Sequence, residues 1–90
     1  MQPPRLLEQV SIVCRRRHLS PGTEESYRHW IRRFILFHGK RHPQEMGATE
    51  VAAFLNDLAV ARQVAASTQS QALNAIVFLY DAVLGQALVS

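Results

Sequence analysis

A single cysteine, Cys14, excludes an internal disulfide, and four glycines and four prolines are too few for a low-complexity tract. No apolar run approaches the roughly 18 residues that a membrane span needs. The start, MQPPRLLEQV, lacks the basic segment followed by an apolar one that marks a signal peptide. The expected setting is therefore the reducing cytoplasm, with Cys14 a buried, inert thiol at an apolar-periodic position. Catalytic signatures are missing too: there is no glycine-rich phosphate loop, no H-E-x-x-H, and no Ser/His/Asp set on a recognisable turn. His38 and His42 are four apart, but Gly39 and Pro43 put them across a helix end. No Cys, Asp or Glu stands at useful spacing beside them. No catalytic residue, metal, cofactor or small-molecule substrate is expected within these residues.

What is present is a chain of 90 residues, 48% of them apolar, enough for one core and not for two. Residues 1–90 are expected to form a single domain. The net charge of +3 is unevenly spread. Arg5, Arg15, Arg16, Arg17, Arg28, Arg32, Arg33, Lys40 and Arg41 face only Glu8, Glu24, Glu25 and Glu45 in residues 1–45, a formal +5. Residues 46–90 hold Arg62 against Glu50, Asp57 and Asp81, a formal −2. Such polarity points to a polyanionic partner, or else to a solvated face that keeps the domain soluble.

Helical period dominates and no segment alternates as a strand does. A first helix is expected over about residues 4–18, with Pro4 in its first turn and Leu6, Val10, Val13 and Cys14 inward. Its last turn, Arg15-Arg16-Arg17-His18, sets cations at the negative end of the helix dipole. Ser20-Pro21-Gly22-Thr23-Glu24-Glu25 reads as the start of a second, with Ser20 or Thr23 capping. At about 100° per residue, Tyr27, Trp30, Ile31, Phe34 and His38 share one side of it, while Arg28, His29 and Arg32 fall on the other. It ends near Gly39, and residues 40–47 form a loop. A third helix is expected over about residues 49–62, burying Val51, Phe54, Leu55 and Leu58. A fourth runs from about Ser67 to a left-handed cap at Gly85. Its inward set is Leu73, Ile76, Val77, Tyr80 and Leu84, with Ser67, Gln71, Asn74 and Phe78 opposite. Phe78 on that polar side either fills a gap against the first helix or anchors a partner. Residues 86–90 read as the start of something further.

The polar faces suit DNA. The second helix offers Thr23, Ser26, His29, Arg32 and Arg33; the fourth offers Ser67, Thr68, Gln69, Gln71 and Asn74. Gln and Asn can pair bidentately with adenine, and Arg with guanine. Ser, Thr and helix N-terminal N–H groups suit phosphate oxygens. Alternatively, Ser67-Thr68-Gln69-Ser70 is only a polar helix start.

Two stretches carry a resemblance, LSPGTEESYRHWIRRFILFHGKRHP and EVAAFLNDLAVARQVAASTQSQALNAIVFLYDAVLG. Their specific parts are Thr23-x-x-x-Tyr27-x-x-Trp30-Ile31-x-x-Phe34-x-x-Phe37 and the run from Ser67 to Ala75 with Phe78-Leu79-Tyr80. From about Leu6 to Gly85 the chain resembles the N-terminal core-binding domain of tyrosine recombinases, and most of all that of integron integrases. The resemblance implies an all-α, four-helix SAM-like orthogonal bundle, one half of a clamp on double-stranded DNA. It implies groove contacts from Thr23, Ser26, His29, Arg32, Arg33, Ser67, Thr68, Gln71 and Asn74, with Arg17, Lys40 and Arg41 on phosphates at the edges. It also implies other recombinase protomers as partners, and a separate domain that carries the catalytic Tyr, Arg and His. His29-x-x-Arg32 echoes part of that catalytic pattern in the wrong domain, and Tyr27 and Tyr80 are expected in the core. The competing readings are a helical protein-interaction domain, using Phe78 and the alanine-rich surface of helix three, and a helix-turn-helix regulator. The latter lacks its tight turn before a recognition helix.

Overall fold

The computed structural model describes residues 5–88, and every regular element among them is helical. Helix α1 spans Leu6–Arg16, α2 Pro21–Phe37, α3 Ala48–Asn56 and α4 Ala66–Phe78. Helix α3 continues in widened π-type turns through Asp57–Ala61, and α4 does so through Leu79–Leu84. One 3₁₀ turn, Pro43–Glu45, lies in the loop between α2 and α3. This is the all-α, four-helix architecture expected from the helical period. No helix among the described residues is long and apolar enough to cross a membrane.

Local chemistry sets the helix ends. Ser20 Oγ accepts the Thr23 N–H at 3.1 Å and Pro21 opens α2, so the start of that helix is as read. Helix α1 is shorter than expected. It stops at Arg16 because His18 turns left-handed (φ 58°), letting the Leu19 N–H reach the Cys14 carbonyl at 3.0 Å. Pro4, assigned to its first turn, lies outside the described residues. Glu50 Oε1 accepts the Gly47 N–H at 2.7 Å and fixes the start of α3. Gly85 ends the last helix left-handed, as expected (φ 60°).

The core gathers Val10 and Cys14 from α1, and Trp30, Ile31 and Phe34 from α2. Met46, Val51, Phe54 and Leu58 close one side, and α4 and its extension supply Ala72, Ala75, Ile76, Leu79 and Tyr80. Val13, Leu55 and Leu84, expected inward, are only half-buried. Cys14 is fully buried, and desolvation, with Glu24's charge second, pushes its thiol pKa up. Tyr80 Oη donates to the Pro43 carbonyl at 2.7 Å, tying the 3₁₀ turn to the last helix. Burial above all, then the Glu50 charge, raises the Tyr80 pKa to about 12, with Arg41 acting weakly against them.

Two expectations about side-chain direction are corrected. Arg28 does not stand outward with His29 and Arg32. It is half-buried, and its Nη1 donates to Ser11 Oγ at 2.6 Å and to the Leu7 carbonyl at 3.4 Å, pinning α2 to α1. The larger correction is the register of α4. Leu73 and Val77 are 39% and 45% exposed, whereas Ala72 and Ala75 are fully buried. The buried face is turned roughly 90° from the one expected, about one residue's step around the helix. The physical reason is close approach. α4 packs on α2 more extensively than any other helix pair does, and two alanines let the backbones come together where Leu73 and Val77 would hold them apart.

Candidate nucleic-acid interface

The turned register of α4 builds the site. Ser67 is exposed as expected, while Gln71, Asn74 and Phe78, expected opposite the core, lie instead on the flank that meets α2. There Ser20, Gly22, Thr23, Ser26 and Tyr27 of the α2 start join Gln71 and Asn74 around an open cleft of about 520 Å³. Phe78 is half-buried, its ring 4.8 Å from that of Tyr27, and the pair closes the cleft beside Asn74. Phe78 thus packs on the second helix, with the end of the first beside it. The Arg17 guanidinium, just past the end of α1, lies 5.8 Å from the centre of the Phe78 ring.

The cleft is chemically open. Ser26, Gln71 and Asn74 have no side-chain hydrogen-bond partner among the described residues, and Thr23 Oγ1 accepts only from Ser20 Oγ, at 2.9 Å. No carboxylate lines it. The nearest acid along the α2 start, Glu24, is engaged by Arg15 at 3.5 Å. Two carboxamides and two hydroxyls therefore face solvent together, offering both donors and acceptors, with a cation at the margin.

Ser67 and Thr68 occupy the first turn of α4, one turn before Gln71. They do not cap it. The capping position is Ala65, which has no side-chain acceptor, so the hydroxyls and the first-turn N–H groups are left without side-chain partners. Gln69 differs, since its Nε2 donates to the Val64 carbonyl at 2.8 Å.

The remaining cations spread along α2. His29 and Arg32 are exposed, His29 with its ring edge-on to Trp30 at 5.1 Å and Arg32 without an ion pair among the described residues. Arg33 is half-buried, its guanidinium 4.9 Å from the centre of the Trp30 ring. Lys40 and Arg41 stand past the far end of α2, about 25 Å along the axis from Ser20. Arg41 donates to the Glu45 carbonyl at 2.8 Å, while Lys40 has no side-chain partner among the described residues. The structure brings Thr23, Ser26, Gln71 and Asn74 together with Arg17 at the edge; it does not bring Lys40 or Arg41 to them. Sequence reasoning missed Ser20, Gly22 and the Tyr27–Phe78 pair as parts of this cleft. The Ser20-Pro21 helix start, one turn ahead of Thr23, was the available signal.

The tempting histidines are employed otherwise. His38 Nε2 lies 2.8 Å from the Glu50 carbonyl oxygen, and His42 Nδ1 accepts the Gln44 N–H at 3.1 Å. No three metal-ligating side chains converge among the described residues.

The family described as phage integrase, N-terminal SAM-like domain, matches residues 6–89. Two curated relatives named integrase/recombinase, one from Escherichia coli and one from Pseudomonas aeruginosa, are each 49% identical over 80 residues. The match covers 89% of this chain and 24% of each relative, so the chain spans about a quarter of their length.

Proposed function

Because the chain belongs to the phage integrase N-terminal SAM-like domain family, we propose that it is the DNA-binding module of a site-specific tyrosine recombinase of the integron-integrase type. In this reading residues 1–90 form one core-binding domain and half of a clamp on the recombination site. The strand-exchange chemistry belongs to a catalytic domain of the parent protein, so the module binds double-stranded DNA without cutting it. It acts in the cytoplasm, alongside other recombinase protomers. Helices α2 and α4 lie in the major groove. Gln71 and Asn74 read base edges, with Thr23 and Ser26 beside them, while His29, Arg32 and Arg33 follow one strand. Ser67, Thr68 and the uncapped start of α4 take phosphate oxygens, as do Arg17 on one margin and Lys40 and Arg41 on the other.

The observation that carries this reading is the convergence of four uncharged polar side chains from two helices in one acid-free cleft, with Arg17 at its edge. Titration of a duplex carrying a recombination site, at two salt concentrations, tests it. Affinity should fall steeply with salt, because phosphate contacts release counterions. Arg32→Ala should lower the salt slope by about 1 with the unfolding curve unchanged. Salt-independent binding, or none at low salt, would favour a helical protein-interaction domain instead.

A further inference from the structure

Building on the DNA-binding reading, we infer that the cleft between α2 and α4 selects an A·T base pair, with Asn74 on the adenine and the thymine 5-methyl group against the Tyr27 ring. The polar side of the cleft favours adenine. Gln71 and Asn74 stand three residues apart on α4, about 4.5 Å along its axis, close to the roughly 3.4 Å step between stacked bases. They therefore address successive base pairs, and the extra methylene of Gln71 takes up the difference. Neither carboxamide has a partner among the described residues, so each keeps the donor for adenine N7 and the acceptor for its N6 amino group. The described residues lining the cleft include no carboxylate to accept from cytosine and no guanidinium to pair with guanine.

The apolar side of the cleft points to thymine. Tyr27 alone among the described lining residues is aromatic, and it is only half-buried. Phe78, one turn past Asn74 on α4, backs it, with ring centres 4.8 Å apart and planes inclined at 41°. The Tyr27 hydroxyl has no partner among the described residues, so packing places the ring. A wall fixed in this way is complementary to a methyl group. The major-groove edge of a G·C pair offers only acceptors and an amino group, whereas thymine sets its 5-methyl group beside O4 in the same pair as the adenine. One A·T pair therefore satisfies the Asn74 carboxamide and the Tyr27 ring together.

Changes confined to the DNA test this. In a duplex carrying a recombination site, each thymine in turn is replaced by deoxyuridine, which removes the 5-methyl group alone. One replacement should weaken binding by about fourfold, the worth of one buried methyl group. Replacing the adenine of that pair by 7-deazaadenine should weaken wild-type binding several-fold and leave Asn74→Ala unaffected. Tyr27→Phe should keep the methyl preference, because the ring and not the hydroxyl makes the contact; circular dichroism verifies that both variants are folded. With 5-iododeoxyuridine at the same position, irradiation should join the DNA to the peptide containing Tyr27, a readout that needs no variant. Salt-dependent binding with no methyl-sensitive thymine, or with a crosslink away from Tyr27 and Phe78, would overturn this inference and leave the DNA-binding reading standing. Absence of binding at low salt would remove both.

Discussion

Helices α2 and α4 pack on one another more extensively than any other pair, yet they bury opposite kinds of side chain. α2 turns Trp30, Ile31 and Phe34 inward, large residues that fill the core. α4 turns Ala72 and Ala75 inward beside Ile76 and leaves Leu73 and Val77 in solvent. Bulk on one helix is met by smallness on the other. The difference teaches that the packing partner decides which face of an apolar helix is buried, because interiors are filled to a fixed density. It also explains why the polar residues of the two helices share a cleft: the alanine seam draws α4 close, and the flanking Gln71 and Asn74 arrive beside Thr23 and Ser26.

The comparison breaks most directly on the aromatic side. Phe34→Ala or Trp30→Ala should destabilise the domain by about 3–5 kcal/mol, the range for emptying a large aromatic site. Urea unfolding with an unchanged m-value would check it. On the seam the opposite operation should hurt. Ala75→Leu should cost about 1–3 kcal/mol through overpacking against α2, whereas Leu73→Ala should cost less than about 0.5 kcal/mol. Were Leu73→Ala the more damaging, α4 would be rotated back toward the face its large residues suggest.

That rotation marks the limit of what sequence could tell. The order of helices, the Ser20-Pro21 start, the Gly85 stop and the aromatic face of α2 were all legible, since each rests on local chemistry or on large residues at helical spacing. The register of α4 was not. Past its polar first turns, residues 72–84 are apolar or aromatic at every position but Asn74 and Asp81, so the period there does not choose a face, and the choice falls to α2, which no local pattern encodes. The candidate site was half legible for the same reason. Gln71 and Asn74 were singled out by type, but their meeting with Thr23 and Ser26 depended on the register. Arg28 was misplaced because its partner Ser11 lies on another helix.

A medium effect separates the anchored end of α4 from its body. Tyr80→Phe removes the hydroxyl that donates to the Pro43 carbonyl, which then keeps only the Met46 N–H at 3.0 Å, at a cost of about 1 kcal/mol. The same hydroxyl predicts alkaline sensitivity. Its folded pKa, about 12, lies above the ordinary tyrosine value of 10.0, so the folded state holds the proton after the unfolded chain has released it. This contribution is intact below pH 10 and is lost as pH rises from 10 towards 12. The wild-type chain should weaken across that window in urea melts, and Tyr80→Phe should flatten the decline.

The smallest effects lie at the helix ends, where α2 and α4 differ again. Both close through left-handed backbone, but α4 uses Gly85 (φ 60°) and α2 follows Gly39 with Lys40 (φ 66°). A Cβ at Gly85 would meet nothing within 4 Å, so Gly85→Ala should cost about 1 kcal/mol from backbone strain alone. Lys40→Gly should do the reverse and stabilise by up to about 1 kcal/mol. A lysine held where glycine fits better calls for a role outside folding, and its ammonium past the end of α2, without a partner among the described residues, suits a phosphate contact. Lys40→Gly should therefore raise the thermal midpoint while weakening duplex binding and lowering the salt slope by about 1. A variant that gains stability and binds DNA as before would remove Lys40 from the interface and leave its backbone strain without a functional account.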